Sequence, residues 1–154
     1  TPTPTATPLG GVGQIAFAST RSGISQIWLT DIIGENQFMV TRMEDGACQP
    51  SWSPDGKRLV FISPCKENTL HYSGTNLYVI NADGTGLATL PSFERGQYDP
   101  AWSPDGSKIV FTALQDDYRR QIYLLDLTSE EFMKISNGDV WDFHPDWSPD
   151  GERT

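Results

Sequence analysis

Basic residues are scarce in this chain: 11 Lys and Arg stand against 20 Asp and Glu, a formal charge of −9. The positive stripe that tracks a phosphate backbone or an anionic bilayer is missing, which excludes nucleic acid as a partner. Long apolar runs are missing too. No stretch approaches the roughly 18 apolar residues of a membrane span, and no charged-then-apolar leader opens the sequence, so a soluble segment without membrane contact of its own is expected. The 3.6-residue recurrence of amphipathic helices is absent. Cysteine and histidine are rare, two of each, and two cysteines are too few for a structural zinc site. Neither a Gly-x-Ser-x-Gly elbow nor His-Glu-x-x-His, a Walker loop or a dinucleotide fingerprint occurs. No catalytic constellation can be assembled, and neither a metal nor a cofactor is expected.

What is present is repetition. Pro50-Ser51-Trp52-Ser53-Pro54-Asp55-Gly56-Lys57-Arg58-Leu59-Val60-Phe61 recurs 50 residues later as Pro100-Ala101-Trp102-Ser103-Pro104-Asp105-Gly106-Ser107-Lys108-Ile109-Val110-Phe111. A third copy, Pro145-Asp146-Trp147-Ser148-Pro149-Asp150-Gly151, begins 45 residues after that. A second landmark, Gln26-Ile27-Trp28-Leu29, Asn76-Leu77-Tyr78-Val79 and Gln121-Ile122-Tyr123-Leu124, keeps the same phase. Periods of this length with several short strands per period predict an all-β propeller of four-stranded antiparallel blades. The expected blades are 14–41, which lacks its first strand, 49–90 and 99–136, followed by a leftover strand in 144–154. Residues 1–13, opening Thr1-Pro2-Thr3-Pro4-Thr5-Ala6-Thr7-Pro8, read as a Thr/Pro-rich stalk or interdomain linker of extended polyproline type.

The motif has a mechanical meaning. Proline presets φ for the first turn position, aspartate bonds its own backbone, and glycine accepts positive φ, so Asp55-Gly56, Asp105-Gly106 and Asp150-Gly151 each close a hairpin. Trp52, Trp102 and Trp147 precede that turn on the innermost strand and are expected to pack between neighbouring sheets as core, not as ligand platforms.

These repeats resemble the TolB-type propeller family, whose blades carry Trp-Ser-Pro-Asp-Gly-x-x-(Leu/Ile)-x-(Phe/Tyr) followed by Ile/Leu-Tyr-Val, and the resemblance covers residues 14–154. It implies a six-bladed propeller of the kind found in periplasmic scaffolds, sugar or peptide binders and the gating domains of some serine peptidases. Only about half the blades are here. Three blades alone leave two apolar faces open, to be covered by the remaining blades of a longer chain or by a second copy in a homodimer that completes the ring.

Candidate sites follow from placement. A hairpin centred on Asp55-Gly56 brings Cys48 and Cys65 nearly opposite, and beside an exported-looking stalk a disulfide is favoured over two buried thiols. Asp45, Asp99 and Asp142 precede the innermost strands, where carboxylates at a channel mouth suit a cation or cationic ligand, against the simpler reading of solvated loop acids. His71 and His144 read as ordinary loop histidines. The loops 64–74 and 114–120 differ between blades, and Tyr72, Tyr118 and Arg119 are the expected partner contacts. The functional expectation is a non-catalytic protein- or peptide-binding scaffold in an extracytoplasmic protein, periplasmic, cell-surface or secreted, anchored through sequence upstream of Thr1. The alternatives are the substrate-gating propeller of a serine peptidase and a carbohydrate-binding wall or periplasmic protein.

Overall fold

A computed structural model describes residues 13–65, 72–93, 95–115, 117–137 and 139–152. Most of the stalk, residues 1–12, lies outside the described residues, as does His71. Eleven strands are found among the described residues, and no helix. In chain order they are β1 (Gln14–Ser19), β2 (Gln26–Asp31), β3 (Phe38–Met39), β4 (Cys48–Trp52), β5 (Arg58–Ser63), β6 (Asn76–Asn81), β7 (Ala88–Thr89), β8 (Gln97–Trp102), β9 (Lys108–Leu114), β10 (Arg120–Asp126) and β11 (Phe132–Lys134). They form three antiparallel sheets in the orders β1-β2-β3, β4-β5-β6-β7 and β8-β9-β10-β11. The molecule is all-β, and its sheets are the blades of a propeller.

The hairpins β4–β5 and β8–β9 are built by the Ser-Pro-Asp-Gly turn. Ser53 Oγ donates to Asp55 Oδ1 at 2.6 Å and accepts the Arg58 N–H at 2.9 Å, while Gly56 sits at φ +66°. Ser103 repeats this with Asp105 at 2.7 Å and the Lys108 N–H at 2.9 Å. The turn therefore fixes register as well as direction, pairing Trp52 with Leu59 and Trp102 with Ile109.

Because side chains alternate along a strand, an apolar run feeds two interfaces. Leu59 and Phe61 of β5 join Ile80 of β6 and Ala47 against Ile27, Leu29 and Val40 of the first blade. Val60 and Ile62 turn the other way, with Leu77 and Val79, onto Tyr98, Ile109, Phe111 and Leu125 of the third blade. Trp102 is buried in that second interface, and Trp52 packs half-buried against the first. Phe93 extends the second interface with its ring 4.7 Å from Tyr123 and 4.6 Å from Phe132.

The segment from residue 144 departs from expectation. Its turn closes, with the Gly151 N–H on Ser148 O at 2.8 Å and Ser148 Oγ on Asp150 at 2.6 Å, and Trp147 Nε1 donates to Ala101 O at 3.3 Å. It forms no strand among the described residues. A strand is defined by its ladder, and the second strand that would pair with it is not among them.

Candidate functional site

In all three repeats the residue just before proline lies at positive φ: Gln49 at +55°, Asp99 at +51° and His144 at +56°. In β4 and β8 the register slips there, between Cys48 and Ser51 and between Tyr98 and Ala101. Such a bulge bends the strand and re-aims one side chain out of the pleat. The re-aimed side chains reach across blades. Gln49 Nε2 donates to Asp99 Oδ1 at 2.9 Å, and the Asp99 N–H donates back to Gln49 Oε1 at 2.7 Å. Asp99 Oδ2 meets His144 Nδ1 at 2.8 Å, and the His144 N–H reaches Thr112 Oγ1 at 3.2 Å. A continuous polar row thus joins the pre-proline positions of successive repeats.

The Asp99 side chain is only 9 % exposed while that of His144 is 69 % exposed. Burial raises the Asp99 carboxyl above its ordinary value, and the charge and hydrogen bonds of His144 work against that rise. Burial likewise pushes the neighbouring Tyr98 phenol up to about 12.

Around this row stands a group of rings on one cation. The Arg120 guanidinium lies 6.0 Å from the Tyr98 ring, 5.2 Å from Trp141 and 5.6 Å from Phe143. Tyr72 stacks on Tyr98 at 5.2 Å, and Phe143 meets the His144 ring edge-on at 5.1 Å. Trp141 is 54 % exposed and Phe143 47 %.

The expected site residues are distributed over this same end of the blades. Tyr72 is half-buried and held by its stack. Tyr118 is exposed, with the Arg95 guanidinium 5.5 Å from its ring. Arg119 is paired with Asp117 and Asp139. Cys48 and Cys65 are joined as a disulfide, Cα atoms 5.8 Å apart, tying β4 to the segment after β5. The Cys65 N–H also donates to Asp45 O at 2.8 Å.

Asp45, Asp99 and Asp142 occupy three different positions of the repeat. The Asp142 N–H bonds Arg120 O as the Gln97 N–H bonds Thr75 O and the Ala47 N–H bonds Ser25 O, whereas Asp99 matches Gln49 and His144. No group of three His, Cys, Asp or Glu side chains suited to a metal converges among the described residues. Gln49, His144 and Arg120 were missed from sequence. The signal available for the first two was their shared place directly before Pro50 and Pro145, the place of Asp99 before Pro100.

A family model described as the TolB beta propeller domain matches residues 29–154. Among curated relatives, "Protein TolB homolog" of Chlorobium chlorochromatii is 31 % identical over 140 residues, covering 91 % of this chain and 30 % of the relative. "Tol-Pal system protein TolB" of Actinobacillus succinogenes is 41 % identical over 51 residues, 32 % of this chain and 12 % of the relative. The chain therefore spans under a third of the length of these relatives. Among solved structures, TolB from Acinetobacter baumannii superposes with a TM-score of 0.74 at 24 % identity, over 96 % of this chain and 36 % of that one, a likeness of fold.

Proposed function

This chain belongs to the TolB β-propeller domain family, and we propose that its three blades serve as a non-catalytic protein- or peptide-binding module of an exported protein. The observation that carries the reading is where the repeat varies. At one end of the blades the Ser-Pro-Asp-Gly turn recurs in three copies, each with its serine hydroxyl donating to the aspartate. At the other end the loops differ, and they carry Tyr72, Tyr118, Arg119 and Arg120. Variable aromatic and arginine side chains on a constant scaffold are the composition of a binding face.

The Cys48–Cys65 disulfide supports an oxidising, extracytoplasmic compartment. A relative named for the Tol-Pal system supports a protein partner over a glycan. Among the described residues no helix is long and apolar enough to cross a membrane. The two outer sheet faces are covered by further repeats of the same kind, from a longer chain or from a second copy.

Panning a displayed peptide library on the purified protein tests the reading. Binding clones are expected to be lost on Tyr118→Ala with Arg119→Ala and retained on Lys57→Ala, at the opposite end. Clones indifferent to the loop substitutions, or turnover of a general esterase or peptidase substrate, would overturn it.

A further inference from the structure

In the second and third sheets the second strand is paired on both sides: β5 lies between β4 and β6, and β9 between β8 and β10. Their counterpart β1 stands at the edge of its sheet, paired with β2 alone among the described residues. At the far side of the stack the reverse holds. Residues 144–151 sit where the first strand of a next blade belongs: His144 reaches Asp99 as Asp99 reaches Gln49, and Trp147 Nε1 donates to Ala101 O. The turns nest alike, for a Cβ on Gly151 would lie 3.6 Å from Pro104 and one on Gly106 3.3 Å from Pro54. The open faces correspond as well. Ala16 packs toward the second sheet, so Ile15 and Phe17 turn outward, with Trp28 opposite Phe17. Phe61 and Phe111, the counterparts of Phe17, each fill the space against the preceding sheet. On the open side of the third sheet that space is the hollow of about 510 Å³ lined by Val110, Ile122, Leu124 and Ile135. Charge is complementary too. Arg21 lies 5.0 Å from the Phe17 ring and 4.9 Å from Trp28, with side-chain hydrogen bonds to Ser19 and Gln37, whereas Asp142 and Asp146 line the hollow.

We propose that the open face and edge of the first sheet dock a second copy of this chain, through that copy's third sheet and its residues 144–151. Phe17 of one copy enters the hollow of the other, as Phe61 and Phe111 do within a copy. Residues 144–151 add to the free edge of β1 as its missing first strand, which satisfies the backbone groups that an open edge leaves unpaired. The register follows from the complete sheets. Ser51 faces Val60 and Ala101 faces Val110, so Asp146 of the second copy faces Ala16; Trp52 faces Leu59 and Trp102 faces Ile109, so its Trp147 faces Ile15. Within one copy the two surfaces lie on opposite sides of the second sheet and do not meet. The contact is head-to-tail between sheets, and two such contacts about a twofold axis close a ring with no open face. The junction continues the sheet-on-sheet packing of the two internal interfaces, and it is independent of what the loop end binds.

Light scattering on the 154-residue chain is expected to level off at twice the chain mass as concentration rises. Cysteine pairs then read the register. Ala16→Cys with Asp146→Cys, directly opposite across the junction, is expected to become a covalent dimer on mild oxidation, seen on a denaturing gel without reductant. Ala18→Cys with Asp146→Cys is displaced by two residues, a diagonal of roughly 7–8 Å that a disulfide does not span, and is expected to run at the mass of one chain. Phe17→Ala is expected to raise the dissociation constant of the dimer at least about a hundredfold, with the strand signal kept in circular dichroism. Should that variant unfold, the cysteine pairs, which leave the rings in place, decide alone. A chain that stays monomeric, as it does when further repeats of its own cover the faces, would overturn the proposal. So would a mass that climbs without levelling, equal cross-linking of the two cysteine pairs, or a folded Phe17→Ala that dimerises as before.

Discussion

Asp105 shows how much of the repeat is local electrostatics. Its carboxylate accepts from the Ser103 hydroxyl first, then from the Ser107 N–H and hydroxyl, and its pKa falls from an ordinary 3.8 to about 2. Asp55 and Asp150, at the same place in the other copies, are lowered for the same first reason, a serine two residues before. A carboxyl depressed on folding adds stability that is complete above its unfolded value and is lost as pH falls through the folded one. The melting temperature is therefore expected to drop as pH is lowered from about 4 to about 2, and the drop to be shallower in Asp105→Asn, by circular dichroism. Asp99 runs the other way: its raised value favours the folded state at low pH and opposes it as the group ionises. Three turn carboxylates are lowered against this one raised group, so the net slope is expected to carry the sign of the turn carboxylates. At this scale the turn aspartates were legible from Ser-x-Asp-Gly alone, whereas His144 was not, since its partner Asp99 lies 45 residues away.

Within one blade, the bulged strand β4 has few ladder bonds to hold it. It pairs with β5 through Cys48, Ser51 and Trp52, with a slip between the first two. The disulfide to Cys65 closes a separation of 17 residues across that slip. Constraining a loop of this size is worth about 3 kcal/mol in the chain-entropy account. Cys48→Ser with Cys65→Ser is accordingly expected to cost about 2–4 kcal/mol in a urea melt. A cost near zero would show that the bulge is held by the Gln49–Asp99 bonds and sheet packing alone. Strand positions and hairpin turns followed from the repeat, because each is set by residues within a few positions of one another. The bulges did not, because they arise where the pre-proline residue is drawn to its neighbour in the next blade.

Across the molecule, the two internal sheet interfaces are complete and the two outer faces are not. Ile15 of the first sheet is 49 % exposed. The third sheet opens a hollow of about 510 Å³ lined by Val110, Ile122, Leu124, Ile135, Trp141 and Phe143. At both internal interfaces the corresponding space is filled, by Phe61 in one and Phe111 in the other, each fully buried. An exposed apolar face of this kind drives association. Light scattering on the isolated chain is expected to give a mass that rises with concentration, and Ile122→Glu on the open face to suppress the rise. A strictly monomeric chain at all concentrations would refute the sheet faces as association surfaces.

The sequence by itself determined the antiparallel four-stranded repeat, its Ser-Pro-Asp-Gly turns and the family, since a repeated short motif writes turn chemistry and alternation directly into local order. Only the tertiary structure decided which residues of different blades touch. Gln49, Asp99 and His144 became one row, Arg120 came to face the rings of Tyr98, Trp141 and Phe143, and Asp45 and Asp142 fell at other places in the repeat. The reason is the bulge: one extra residue in a strand redirects a side chain toward the adjacent sheet, and its partner there is set by the stacking of sheets, which local sequence does not encode.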